Sequence, residues 1–306
     1  MDTNDASTMS QSQDDFSNAK NRARFQVLLS KLKWENSDLL SLYEVKDLIK
    51  PRGETYKGMQ TIPIEQIIGS EGRARDFSKA FYPKKELLKE RWASIDRAHL
   101  KFVDLPSINV YKLGEWYFVR DGNHRVSVAK SQGVEFIDAE VVELDSQIPL
   151  RMGMTMKELR LEVVAFERAQ VIEQYHLEKI IPFDEMRFTS SGMFPEIINH
   201  IYVHKYYINQ GIKEEVSFNE AAKSWYDNVY FPIIEECRKL KLLSAFPGNT
   251  EGDLYIWVVR HWDNLKEISG SQKVTIETAT QDYKSRYGKG YFEKQILRFK
   301  NFIKRK

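Results

Sequence analysis

The sequence predicts an α+β protein: a small mixed-sheet domain over 51–150, then a mainly α-helical domain over 151–268. Three observations carry this. Strand and helix patterns run in the order β, helix, β, β, turn, helix, β between Thr61 and Leu144. After Pro149 the apolar residues fall at helical spacing instead. A length of 306 residues suggests about two domains, and a hydrophobic share of 42% is enough for packed cores.

Taken in order, 1–20 is polar, with Asp2, Asp5, Asp14 and Asp15, and reads as a disordered tail. A helical arm follows over 21–50. Ala23, Val27, Leu28 and Leu32 are spaced for one helix with Arg22, Arg24, Lys31 and Lys33 about it, and Leu39 to Ile49 makes a second, shorter helix. A solvated basic side on a docked helix accounts for those cations more simply than nucleic acid does. Thr61 to Ile68 reads as a strand with Pro63 near its start, which suits a sheet edge. Gly69 to Phe77 is a flexible loop bearing Arg73 and Arg75. Pro83 sits where a helix can begin, and Leu87, Leu88, Trp92 and Ile95 give that helix an apolar face. Ile108–Leu113 and Trp116–Val119 read as a strand pair, and Phe136–Leu144 as a further strand.

In the second domain, Lys157–Val164 fits helix or strand equally. Pro195 opens a helix that Gly211 ends. Ser217–Glu220 is a capping box, Pro232 opens another helix, and Thr250–Asp253 caps one more. From Lys284 to Lys306 there are nine Lys or Arg and one acid, Glu293. Phe292, Ile296, Phe299 and Ile303 lie at helical spacing there, so 269–306 reads as a basic amphipathic C-terminal segment. Its interleaved aromatics also suit nucleic acid.

Composition narrows the function classes. A net charge of +2 makes no global case for nucleic acid or membrane. One cysteine, Cys237, excludes a disulfide framework and fits a reducing compartment. No run of about 18 apolar residues and no signal peptide is found, so the expectation is a soluble cytoplasmic protein.

The densest chemistry lies at Val119 to Ala129. A strand enters through Trp116–Val119, Asp121-Gly122 turns, and a helical pattern begins, ended by Gly133. A helix start presents orphan N–H groups and partial positive charge, which suits phosphate. Gly122 allows close backbone approach, and Asn123, His124 and Arg125 sit at the same place. The bland reading is a common Asp-Gly turn with a solvated His-Arg pair. Elsewhere, His200 and His204 are four apart on one helix without the glutamate of a zinc peptidase, and they are more simply packed histidines. Arg187 to Gly192 lacks the lysine of a phosphate loop.

Asp121-Gly122-Asn123-His124-Arg125 between strand and helix resembles the signature of the ParB/sulfiredoxin superfamily, nearest to its ParB-like and free-serine-kinase members. Gly122, His124 and Arg125 match sulfiredoxins, and Asp121 as well matches the archaeal serine kinases. Arg125 aligns with the second arginine of the ParB box. Asn123 stands where sulfiredoxins carry cysteine, so thiolate repair chemistry is excluded at this turn. The run from Trp225 to Pro232 and then from Phe246 to Tyr255 resembles an uncharacterised bacterial helical domain that accompanies ParB-like domains.

The resemblance implies a nucleotide-binding protein with ATP or CTP as ligand. Gly122, Asn123, His124, Arg125, Arg73 and Arg75 would hold its phosphates, with His124 and Asp121 as catalytic residues. A carboxylate beside phosphate repels it unless a cation bridges them, so Asp121 is also the candidate ligand for Mg2+. The activity implied is a Mg-dependent phosphotransferase or nucleotide hydrolase. A DNA-binding regulator or partition-like protein, reaching DNA through the basic C-terminal segment, is the second reading, although no helix-turn-helix with recognition chemistry is evident. A non-enzymatic ligand-binding scaffold is the third.

Overall fold

The computed structural model describes residues 3–33, 37–151, 154–211, 213–270 and 274–288. The chain divides into two compact units, Met1–Leu159 and Arg160–Lys306. The boundary therefore lies inside helix α5 (Met156–Tyr175) and not at position 150. Lys157–Val164, ambiguous in sequence, belongs to that helix.

Unit 1 is built on a six-stranded mixed sheet. Its strands are β1 (Leu40–Ser41), β2 (Glu54–Pro63), β3 (Ile67–Ser70), β4 (Ile108–Leu113), β5 (Trp116–Asp121) and β6 (Phe136–Leu144), in the order β1-β3-β5-β4-β6-β2. β5 lies parallel to β3 and antiparallel to β4, while β2 pairs antiparallel with β6 at one edge. The sequence suggested one strand over Thr61–Ile68. There are two, because a 3-10 turn at Ile64–Gln66 follows Pro63 and carries the chain from the β2 edge to β3.

Alternation along β4 and β5 sends residues to opposite faces. Ile108, Val110, Tyr117 and Val119 join Phe77, Phe81, Trp92, Val126 and Ala129 in one core. Trp116 and Phe118, also buried, take the other face, with ring centroids 6.3 Å apart. The helices of this unit are α1 (Thr3–Lys33), α2 (Leu42–Ile49), α3 (Lys89–Leu100) and α4 (Asn123–Ser131).

Two expectations are overturned. The polar stretch 1–20 is not a tail: it is helical from Thr3 and continues through the expected arm as α1. Ser12, Phe16, Ala19 and Ala23 recur at helical spacing and are almost wholly buried. Phe16 meets Trp92 of α3 edge-on, with centroids 5.7 Å apart. A stripe of mostly small residues hides within a polar composition, and that is why composition misjudged it. Pro83 does not open a helix either. It bridges to Phe77, and α3 begins only at Lys89, after a 3-10 turn at Glu86–Leu88.

Unit 2 is helical. Besides α5 it holds α6 (Met193–Ile208), α7 (Phe218–Trp225), α8 (Phe231–Lys239), α9 (Leu242–Ala245), α10 (Glu251–Ser269) and α11 (Ile276–Tyr283). Both capping boxes form, at Ser217–Glu220 and Thr250–Asp253. α7 runs into α8 through a π turn at Tyr226–Tyr230, so Pro232 sits in the first turn of a continuing helix. The buried Tyr255 organises this core: its hydroxyl takes the Trp225 Nε1–H at 3.2 Å and lies 3.0 Å from His200 Nδ1. Of the expected basic segment 269–306, α11 and the π turn at Lys284–Gly288 are described, and 271–273 and 289–306 lie outside the described residues. No described helix is long and apolar enough to cross a membrane.

Candidate functional site

Because β3 and β5 are parallel neighbours, Ser70 and Asp121 end at the same edge of the sheet. In open α/β sheets this edge, outside the carboxyl ends of adjacent strands, is where ligands bind. The loop after β3 is tied to β5 there. Glu71 N donates to Val119 O at 2.9 Å, Ser70 Oγ donates to the same carbonyl at 3.3 Å, and Arg73 N donates to Ser70 Oγ at 3.1 Å. Arg73 is thus carried to the turn that follows β5.

Gly122 makes that turn at φ +100°, and a Cβ there would lie 2.5 Å from Ile108 Cγ2. α4 begins at once. Its first helical bond is Val126 N to Gly122 O at 3.0 Å, and no side chain caps it. The N–H groups of Asn123, His124 and Arg125 therefore have no acceptor among the described residues. Asn123 is 7% exposed, and its Oδ1 is buried without a partner.

His124 Nδ1 is likewise buried and unpartnered. Its ring stands edge-on to Phe77 at 5.6 Å. Burial, with Arg73 and Arg91 close enough to repel a second positive charge, pushes the imidazole down to about 4; Asp76 opposes this weakly. At neutral pH His124 is uncharged, so it offers a ring nitrogen and no cation.

The guanidinium of Arg125 goes elsewhere. It donates to the carbonyl oxygens of Pro106 and Ser107, the latter at 2.6 Å, and to Asp121 Oδ2 at 2.6 Å. Pro106 and Ser107 lead into β4, Asp121 ends β5 itself, and Arg73 follows β3. His124 and Arg125 therefore have different partners. Successive residues on a helix point about 100° apart, and β5 has a different neighbour on each flank. Arg125 ties the strand-leading loop to the turn.

Asp121 is consequently held by Arg125, although its side chain is 71% exposed. Among the described residues no group of three His, Cys, Asp or Glu could hold a metal ion. A single carboxylate already paired with a guanidinium does not fit as a Mg2+ site. Arg73 is half exposed, 3.6 Å from Asp76 Oδ2, and Asp76 also takes Lys85 at 2.5 Å. Arg75 is exposed. Arg91 of α3 was not singled out in the sequence. It has no motif around it, and its only signal is its place beside the buried Trp92 on a helix with a basic outer side. His200 and His204 are hydrogen-bonded histidines, the second lying 3.0 Å from Ser224 Oγ.

No family profile matches the sequence, and no curated protein matches it. Among solved structures, a chain described as "Structure of the C2221 form of Pnob8-like ParB-N domain" is similar at 12% identity. The match spans 72% of this chain and 95% of that one, with a TM-score of 0.21.

Proposed function

We propose that the start of α4 binds a phosphate group, and that the ligand is a nucleotide such as ATP or CTP. The single observation that carries the reading is that three N–H groups at the start of α4 have no acceptor among the described residues, at a turn where Arg73 and Arg91 act electrostatically on His124. Helix dipole, free N–H groups and guanidinium forks all favour an anion there. The neutral His124 ring adds a hydrogen-bonding nitrogen without the solvation cost of a buried cation. The pairing of Asp121 with Arg125 cancels the charge that would otherwise repel phosphate. The nucleotide part rests on the resemblance of Asp121 to Arg125 to ParB-like and serine-kinase turns. The geometry favours binding over phosphoryl transfer, since Asp121 is held by Arg125 and His124 is not protonated near neutral pH.

Thermal stabilisation by ATP, CTP and inorganic triphosphate, with and without Mg2+, tests this. A ligand at 100 times its dissociation constant adds about 2.7 kcal/mol. The double variant Arg73→Ala/Arg91→Ala is expected to weaken binding at least about tenfold, consistent with two charge-assisted contacts. No stabilisation by any of the three ligands, or equal stabilisation of both proteins, removes the proposal.

A further inference from the structure

Unit 1 carries a cavity of about 510 Å3 whose wall includes Ile64, Glu65, Ala80, Tyr82, Lys130 and Val134. The turn at Gly122–His124 takes no part in it. Its volume is in the range of small-molecule sites. Lys130 comes from α4, two helical turns beyond Asn123, and is half-buried. It donates to Ile67 O at 2.8 Å, and its Nζ stands 5.1 Å from the centre of the Phe81 ring. It forms no ion pair with a described residue. Partial burial without a paired carboxylate disfavours the charged form of an amine. Burial does push it down to about 8, against the opposing pull of Glu65.

An unpaired amine held by one carbonyl, beside an aromatic face and on the wall of an open cavity, is arranged as a nucleophile. We infer that Lys130 and this cavity form a carbonyl-condensing site that takes a small uncharged aldehyde or ketone as an imine. The lone pair of the neutral amine adds to the carbonyl carbon. A proton moves from nitrogen to oxygen to give a carbinolamine, and loss of water leaves the C=N bond. Glu65, on the 3-10 turn that lines the same cavity, is the carboxylate placed to carry that proton. Glu65 and Glu135 on the wall disfavour an anionic substrate, which is why an uncharged one is specified.

The test is site-resolved reductive alkylation of the full chain with propionaldehyde and cyanoborohydride, read by peptide mass spectrometry. Lys130 should react at least about tenfold faster than the median lysine at pH 7.5, as its larger neutral fraction requires, with a half-maximal rate near pH 8. Ala80→Leu, which fills the cavity, should slow Lys130 and leave the other lysines unchanged. Lys130→Arg should remove the fast site. A Lys130 that reacts at or below the median in the wild-type protein overturns the inference, as does a rate untouched by Ala80→Leu. The wild-type comparison decides even if a variant fails to fold.

Discussion

Two residues of the turn answer to measurable physics. Gly122 combines φ +100° with a wall 2.5 Å from where a Cβ would sit. Gly122→Ala is expected to cost about 1–3 kcal/mol through strain and displacement of Ile108, read as a lower urea midpoint; an unchanged midpoint refutes the packing described. For His124, NMR titration should return a pKa near 4 in the free protein. Because the folded value lies below the ordinary 6.5, this residue's share of stability is complete above about 6.5 and is lost as pH falls toward 4. Bound phosphate should raise the value, since an anion favours the imidazolium. A value that ignores triphosphate would place the ligand elsewhere. The position of Gly122 was legible from Asp-Gly after a strand. That His124 and Arg125 take different partners was not, since a motif gives the order of residues and not which strands flank them.

At the scale of elements, the junction of α1, α3 and α4 holds a second titrating device. Asp96 is wholly buried, its Oδ2 has no hydrogen-bond partner, and its Oδ1 accepts from Gln132 at 2.7 Å. Burial lifts its carboxyl to about 6, Gln132 opposes the lift, and Asp15 of α1 adds to it. A raised carboxyl means the folded chain holds the proton more tightly than the unfolded one. Stability is therefore gained as pH falls from about 6 toward 4, and the full penalty stands above 6. Asp96→Asn should abolish this gain and add about 1–3 kcal/mol at pH 7, one pKa unit being worth about 1.4 kcal/mol. Because His124 slopes the other way in the same window, the difference between variant and wild type is the quantity to follow. Identical pH profiles would refute the burial of this carboxyl. β4, β5 and β6 were readable from their apolar residues, the Ser217–Glu220 capping box from its spacing and Thr250–Asp253 as a helix cap, whereas β1 and the first seven residues of β2 were not. The first half of α1 was not, since Phe16 is the one large apolar residue in a buried stripe otherwise made of Ser12, Ala19 and Ala23. The break at Pro63 was also hidden, because Ile64, Ile67 and Ile68 continue the apolar run through the turn.

For the molecule as a whole, the two cores share no residue: one gathers around Trp92 and the sheet, the other around Tyr255. Ile197→Ala in the second core should cost about 2–5 kcal/mol and lower one unfolding transition while sparing the other. A single transition that moves as one would show the cores to be energetically fused. The order of the strands has a consequence for how the first unit is made. β2 leaves the ribosome early, yet its only partner in the sheet is β6, the last strand of the unit to be synthesised. Phe16 likewise awaits Trp92. Nascent chains halted before Phe136 carry an unpaired β2 edge, and those halted before Trp92 an undocked α1 as well, so the sheet of this unit closes only when its final strand arrives.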